Sequence, residues 1–158
     1  MAVRLAFSAL ALCLLAGCGR SIVPDRPHPT PMSAPVSALD VLHAWDSDRA
    51  SAWESSDPAA LGRLYLPGSV AGRRDVTLLA DYLRRGLRVH GMQMQVLSAR
   101  VVLDEATVLR LEVTDRLGPT SVGSSSGWQL LPADRASRRM VELRRYQGRW
   151  VVAAVHDS

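Results

Sequence analysis

At Gly86 the spacing of apolar residues changes, and that change limits the folds open to the chain. Before it, apolar side chains recur every three or four positions, as in Leu39, Leu42, Trp45, Ala52 and Trp53. After it they recur every second position, as in Leu109, Leu111 and Val113. The first spacing gives a helix one apolar stripe, and the second gives a strand one apolar face. A chain with its helices first and its strands last folds as α+β, with the helices gathered on one face of an antiparallel sheet. Three helices followed by four or five strands are expected.

The helix boundaries follow from local chemistry. The first helix runs from Leu39 to about Ser55, with Asp40 in its first turn, where a carboxylate meets free backbone N–H groups. Asp57-Pro58 restarts the chain with an N-cap and a proline at the first helical position. Ala60, Leu61, Leu64 and Tyr65 supply the apolar face of this second helix, and Pro67-Gly68 ends it. A third helix spans Arg73 to Arg85, with Leu78, Leu79, Tyr82 and Leu83 inward and Gly86 as its C-terminal stop.

Beyond Gly86 the alternation loses phase at Gly91, which reads as a bulge or bend in one long strand continuing to Leu103. Asp104-Glu105 is a turn, and Val108 to Asp115 is the next strand. Its Arg110, Glu112 and Thr114 face away from the core. Gly118 to Gly127 is a Gly- and Ser-rich loop, followed by a short strand from Trp128 to Leu131. The final hairpin joins Arg138–Tyr146 to Trp150–Val155 through Gly148.

The N-terminus carries an address. Arg4 precedes an apolar run of about 12 residues, Leu5 to Ala16, too short to span a bilayer comfortably. Leu15-Ala16-Gly17-Cys18 resembles the lipobox of bacterial lipoproteins. The resemblance implies cleavage before Cys18, lipid on that residue, and a domain held on the extracytoplasmic side of the cell membrane. Of the two cysteines, Cys13 leaves with the signal. The mature chain then has no internal disulfide, no zinc–cysteine cluster and no Cys-x-x-Cys redox pair. Prolines 24, 27, 29, 31 and 35 make residues 18–38 a semi-extended tether. Three parts result: 1–17 signal, 18–38 lipidated cysteine and tether, and 39–158 folded domain.

Charge narrows the partners. All nineteen basic residues are arginine, and the net charge is +4, falling by one when Arg4 is removed. A modest positive charge at a membrane suits anionic lipid or wall polymer, or a membrane or cell-envelope protein. The arginines are scattered among acids, and no basic tract lines a groove, so nucleic acid is excluded. Arg138, Arg139, Arg144, Arg145 and Arg149 gather on the last hairpin, where Arg144 and Arg145 are the candidate docking residues. On the first helix Asp46, Asp48 and Arg49 are placed to pair with one another, and Asp75 to pair with nearby arginines. The four histidines show no metal spacing, and no metal or cofactor is expected.

The segments 39–53, Asp57 to Leu61 with Leu64-Tyr65, the bent strand beyond Gly86 and Gly148-Arg149-Trp150-Val151-Val152 resemble the NTF2-like superfamily, also called the SnoaL or ketosteroid-isomerase-like cone. More narrowly, Pro67-Gly68-Ser69, Gly72-Arg73 with Asp75-Val76, and Arg85 to Val89 are similar to actinobacterial NTF2-like lipoproteins. The resemblance implies three helices packed on a strongly curved antiparallel sheet, with a cavity between them. It implies no single activity, because such folds host enzymes, binders and assembly modules. The expectation is a non-enzymatic binding or assembly domain. The alternative is a small isomerase, dehydratase or hydrolase acting on an apolar substrate.

Enzymes of this fold work with residues that project into the cavity. The candidates are His90 beside the Gly91 bend, Tyr82, and the His43–Asp46 pair one helical turn apart. Tyr65 and Asp115 are further available groups, although none matches an isomerase pattern. Trp128, behind the Gly-Ser loop, is a candidate ligand contact.

Overall fold

The computed structural model describes residues 37–157. The signal, Cys18 and the proline-rich segment up to residue 36 lie outside the described residues. Ser37 and Ala38 already belong to the folded part, as the cap and first residue of α1 (Ala38–Glu54). Ser37 Oγ accepts the Asp40 N–H at 3.1 Å, and Asp40 Oδ2 accepts the Ser37 N–H at 3.2 Å. These reciprocal bonds form a capping box. The Ser37 hydrogen bonds hold the Asp40 carboxyl below the usual carboxylate range.

Asp57 caps α2 (Pro58–Gly62) as expected, its Oδ1 accepting from both Ala59 and Ala60 N–H at 2.9 Å. The helix is shorter than its apolar spacing suggested, because the sheet captures its last turn. Leu66 N–H donates to Val152 O at 2.9 Å, and Val152 N–H donates to Leu64 O at 3.0 Å. α3 (Val70–Arg84) starts three residues before the expected Arg73, since Ser69 Oγ accepts the Gly72 N–H and nucleates the turn earlier. Gly86, with φ +68°, ends the helix as its composition requires.

Seven strands follow: β1 (Arg88–His90), β2 (Met94–Asp104), β3 (Val108–Leu117), β4 (Ser121–Ser124), β5 (Gly127–Leu130), β6 (Ser137–Tyr146) and β7 (Arg149–Asp157). The expectation of one strongly curved sheet forming a cone is overturned. The strands make two separate sheets, of order β1-β4-β5 and β2-β3-β6-β7, neither strongly curved nor closed. The α+β class and the three N-terminal helices stand.

Gly91 gives the physical reason. Its φ of +72° is a conformation that L side chains rarely adopt, and the strand stops there after three residues. What was expected as one bent strand is therefore β1, paired with β4, and β2, paired with β3. The Gly-Ser segment expected to be a loop supplies β4, which folds back on β5.

The core lies where the inner face of the four-stranded sheet meets the helices. Leu111 and Leu143 from the sheet, Val152 from β7 and Leu61 from α2 are completely buried, and Leu79 and Trp53 pack with them. Each such side chain contributes about 1.5–3 kcal/mol by leaving water. The outer face is charged. Glu112 accepts from Arg100 and Arg138, and Glu142 accepts from Arg110 and Arg144. Their arginine hydrogen bonds hold both glutamate carboxyls below the usual range.

Candidate functional site

Two acidic centres lie at the junction of helices and sheet. The first is closed around Asp75 of α3, which is 8% exposed. Its Oδ2 accepts from Arg49 Nε and Tyr65 Oη, both at 2.7 Å. Its Oδ1 accepts from Arg49 Nη2 at 2.8 Å and Trp53 Nε1 at 3.2 Å. Two donors per oxygen leave this carboxylate little capacity for anything else. The arrangement corrects the expected α1 salt-bridge face, because Arg49 reaches Asp75 on α3 rather than its neighbours Asp46 and Asp48. Burial and the adjoining Asp75 charge push the Tyr65 hydroxyl well above its usual range. Burial opposes the Arg49 charge, but the Asp75 carboxylate outweighs it and holds the guanidinium protonated.

Gly72 makes this centre possible. A Cβ there would stand 2.6 Å from Tyr65 Cβ and Cγ. Only a bare glycine lets α3 come close enough for Asp75 to meet Tyr65.

The second centre is open. A cavity of about 810 Å³ lies between α1, α3 and the four-stranded sheet. Its walls include Leu42, Leu78, Met94, Val96, Val141 and Val155. Asp46 from α1, Asp115 from β3 and Arg139 from β6 bring charge into it. The sheet register places Asp115 on the inward side of β3, continuing Leu109, Leu111 and Val113, and sets Arg139 opposite Val113. Arg139 Nη2 stands 2.6 Å from Asp115 Oδ1. Asp115 Oδ1 in this close ion pair is buried, and Arg139 Nε has no hydrogen-bond partner among the described residues. Asp46 Oδ2 accepts the Met94 N–H at 3.1 Å, the one hydrogen bond to its carboxylate among the described residues. Burial pushes both carboxyls up. The Met94 bond and nearby positive charge oppose this at Asp46. Arg139 opposes it at Asp115, while the charges of Asp46 and Asp134 reinforce it.

The expected site residues separate into those inside the cavity and those outside it. His43 and Asp46 both line it, with His43 on the exposed side and no hydrogen bond between them among the described residues. His90 lies elsewhere on the surface, its Nδ1 2.5 Å from Glu54 Oε1. Tyr82 packs edge-on against Trp53 at 5.7 Å, away from the cavity lining. Trp128, 58% exposed on β5, meets the His90 ring edge-on at 6.1 Å. Arg144 Nε donates to Glu142 at 2.7 Å. Arg145 lies 5.0 Å over the Trp150 ring and donates to Gly148 O.

Sequence spacing groups Arg139 with the solvent-facing arginines of its hairpin and gives no sign of its place in the cavity. Asp115 carried a legible signal, since an acid that continues an inward apolar run must be paired or functional. Among the described residues no group of three His, Cys, Asp or Glu side chains could hold a metal ion.

No protein-family model matches the chain, and neither does any curated protein sequence. Solved structures do resemble it. The intermembrane-space region of the chloroplast protein ARC6 aligns with a TM-score of 0.54 and 14% identity, over 81% of this chain and 100% of that one. A candidate calcium/calmodulin-dependent kinase II association domain from Xanthomonas campestris aligns with a TM-score of 0.52 and 15% identity, over 82% and 91%. A candidate dehydratase of the NTF2-like family from Streptomyces avermitilis gives a TM-score of 0.49 and 13% identity, over 77% and 96%. The chain thus shares the general fold of the first two structures at low identity. At these identities the likeness is one of fold alone.

Proposed function

We propose that the protein is a lipid-anchored binding domain, related to the actinobacterial NTF2-like lipoproteins, on the extracytoplasmic side of the cell membrane. Its ligand enters the cavity between α1, α3 and the sheet. The observation that carries this reading is an open cavity of about 810 Å³ with apolar walls and incompletely hydrogen-bonded charged groups. A space kept only for packing would be filled by side chains, since interiors are close-packed. Large concave sites with a few convergent polar groups are the usual form of ligand pockets. The lipobox-like Leu15-Ala16-Gly17-Cys18 supports the anchor, with lipid on Cys18. The partners proposed for the outside of the domain are a cell-envelope protein, anionic lipid or wall polymer.

Two measurements test this reading. Cys18→Ser is expected to abolish incorporation of a fatty-acid analogue and to release the protein from the membrane; retained label would refute the anchor. Leu78→Trp, which adds an indole at a half-exposed position of the cavity wall, is expected to abolish capture of small molecules from membrane extracts. Capture unchanged from wild type would place the ligand elsewhere.

Asp46 favours a second reading. A carboxyl raised by burial in an open apolar cavity is suited to hold and release a proton. In this reading the protein is a small isomerase, dehydratase or hydrolase. Turnover of a captured ligand, lost in Asp46→Asn while binding persists, would select it over pure binding.

A further inference from the structure

Among the described residues, the charged floor of the cavity is one positive charge short. Its lining holds four carboxylates, Asp46, Asp75, Asp115 and Asp157, against three guanidiniums, Arg49, Arg74 and Arg139. Arg49 is hydrogen-bonded to Asp75 through Nε and Nη2, and its charge also reaches Asp46. Asp115 is 6% exposed, and the 2.6 Å pairing with Arg139 Nη2 is the one polar side-chain contact to its carboxylate among the described residues. Asp46 has one backbone N–H on one oxygen. Asp46 is half-buried and Asp115 buried, and a carboxylate withdrawn from water is costly unless donors or a counter-charge reach it.

We infer that the cavity takes a small monocation with an apolar body, a protonated amine, whose ammonium group sits at Asp46 and Asp115. This inference rests on the reading of the cavity as a binding site. An ammonium group has three donors and no acceptor, which suits two carboxylates with unused lone pairs. One positive charge brings the floor to neutrality. The walls formed by Leu42, Leu78, Met94 and Val96 cover the apolar part. A divalent metal ion fits poorly, since no three-ligand group is present among the described residues and Arg139 repels it. An anion would meet two carboxylates.

The other charged and titratable groups facing the site are His43 on α1, Arg74 on α3, and His156 and Asp157 on β7, with Asp134 acting on Asp115. Arg74, His43, His156 and Asp157 are all exposed. Water therefore screens them more than it screens the buried floor. At low pH a proton supplies the missing charge, and the amine replaces it as the pH rises. Amine affinity accordingly increases with pH through the raised carboxyl range.

Benzylamine, benzyl alcohol and benzoate share one ring and differ in charge. Each would be titrated by calorimetry into the full lipidated chain in phosphatidylcholine nanodiscs, with empty discs as the blank. Benzylamine is expected to bind about tenfold more tightly than benzyl alcohol near neutral pH, and benzoate most weakly. The preference should shrink as the pH is lowered through the raised carboxyl range, while benzyl alcohol stays level. Asp46→Asn and Asp115→Asn should each bring the amine close to the alcohol and leave alcohol affinity unchanged. In Asp46→Asn the side-chain amide oxygen can still accept the Met94 N–H, so that variant keeps the test available if Asp115→Asn fails to fold. Equal binding of amine and alcohol, or an amine preference that survives both variants, would overturn the cation inference and leave the cavity reading standing. No binding of any of the three would overturn both.

Discussion

The centres at Asp75 and at Asp115 are built from the same chemistry and differ in completeness. Each sets an aspartate against an arginine among apolar side chains. Asp75 receives four donors from three side chains, two on each oxygen. Asp115 has a single partner, the Arg139 Nη2 at 2.6 Å from its Oδ1. Buried charge stabilises a fold only when its remaining hydrogen-bonding capacity is met. The first centre therefore fastens α1, the chain after α2 and α3 together. The second leaves unmet capacity facing an open cavity, which is the condition for a ligand to add something.

The largest expected effect lies at the closed centre. Asp75→Ala strands the Arg49 guanidinium, the Tyr65 hydroxyl and the Trp53 indole N–H, and should cost about 3–5 kcal/mol in urea denaturation. A loss below about 1 kcal/mol would mean that the centre is not a fastener. Gly72→Ala should come next, at about 1–3 kcal/mol, because the new methyl group meets Tyr65 at 2.6 Å. Together these substitutions show whether the close approach of α3 or the hydrogen bonds it permits matters more.

At the open centre the expected sign is the opposite. Burial raises the Asp46 and Asp115 carboxyls, so the folded state holds protons more tightly than the unfolded chain does. Their contribution is present below the unfolded carboxyl value of about 4 and is lost as the pH rises through the raised folded values. Asp46→Asn should therefore be more stable, relative to wild type, at neutral pH than at acid pH. Thermal melts across that range check this, and a difference independent of pH would contradict it.

The smallest effect belongs to the outer sheet face. Glu142→Gln should change stability by within about 1 kcal/mol, and by less in high salt. The acid response of this face also runs the other way. Glu142 has a lowered carboxyl, so its stabilisation is present above its usual value and is lost as the pH falls through the lowered one. A gain in stability at neutral pH on neutralising Glu142 would erase the contrast between the inner and outer acids.

Much of the element order was legible because it rests on local chemistry. Asp57-Pro58 defines a helix start, Gly86 a helix stop, and the alternation from Val108 a strand with Leu109, Leu111 and Val113 inward. The division into two sheets was not legible. Gly91 announces a break in the alternation, but a bulge and a change of pairing partner give the same sequence pattern. The Gly-Ser composition of residues 118–127 likewise hid β4, whose Gly123 has Gly127 and Trp128 packed close against it. Of the candidate residues, His43 and Asp46 share the cavity, while Tyr82, His90 and Trp128 lie outside its lining. Helical and strand periodicity place a side chain on a face; they do not say which neighbour covers that face.

The sequence by itself determined the α+β order, the helix caps and the inward run of β3, because each depends on interactions within a few residues. It also supplies Leu15-Ala16-Gly17-Cys18, on which the proposed lipid anchor rests. Only the tertiary structure decided that Arg49 would meet Asp75, twenty-six residues along the chain, and that Arg139 would meet Asp115. Ion pairing at such separations depends on which surfaces are brought together and how much water remains between them. The same arginine-rich composition could have left all of these groups in solvent. The packing of α1 and α3 against the sheet closed one acidic centre and left the other open.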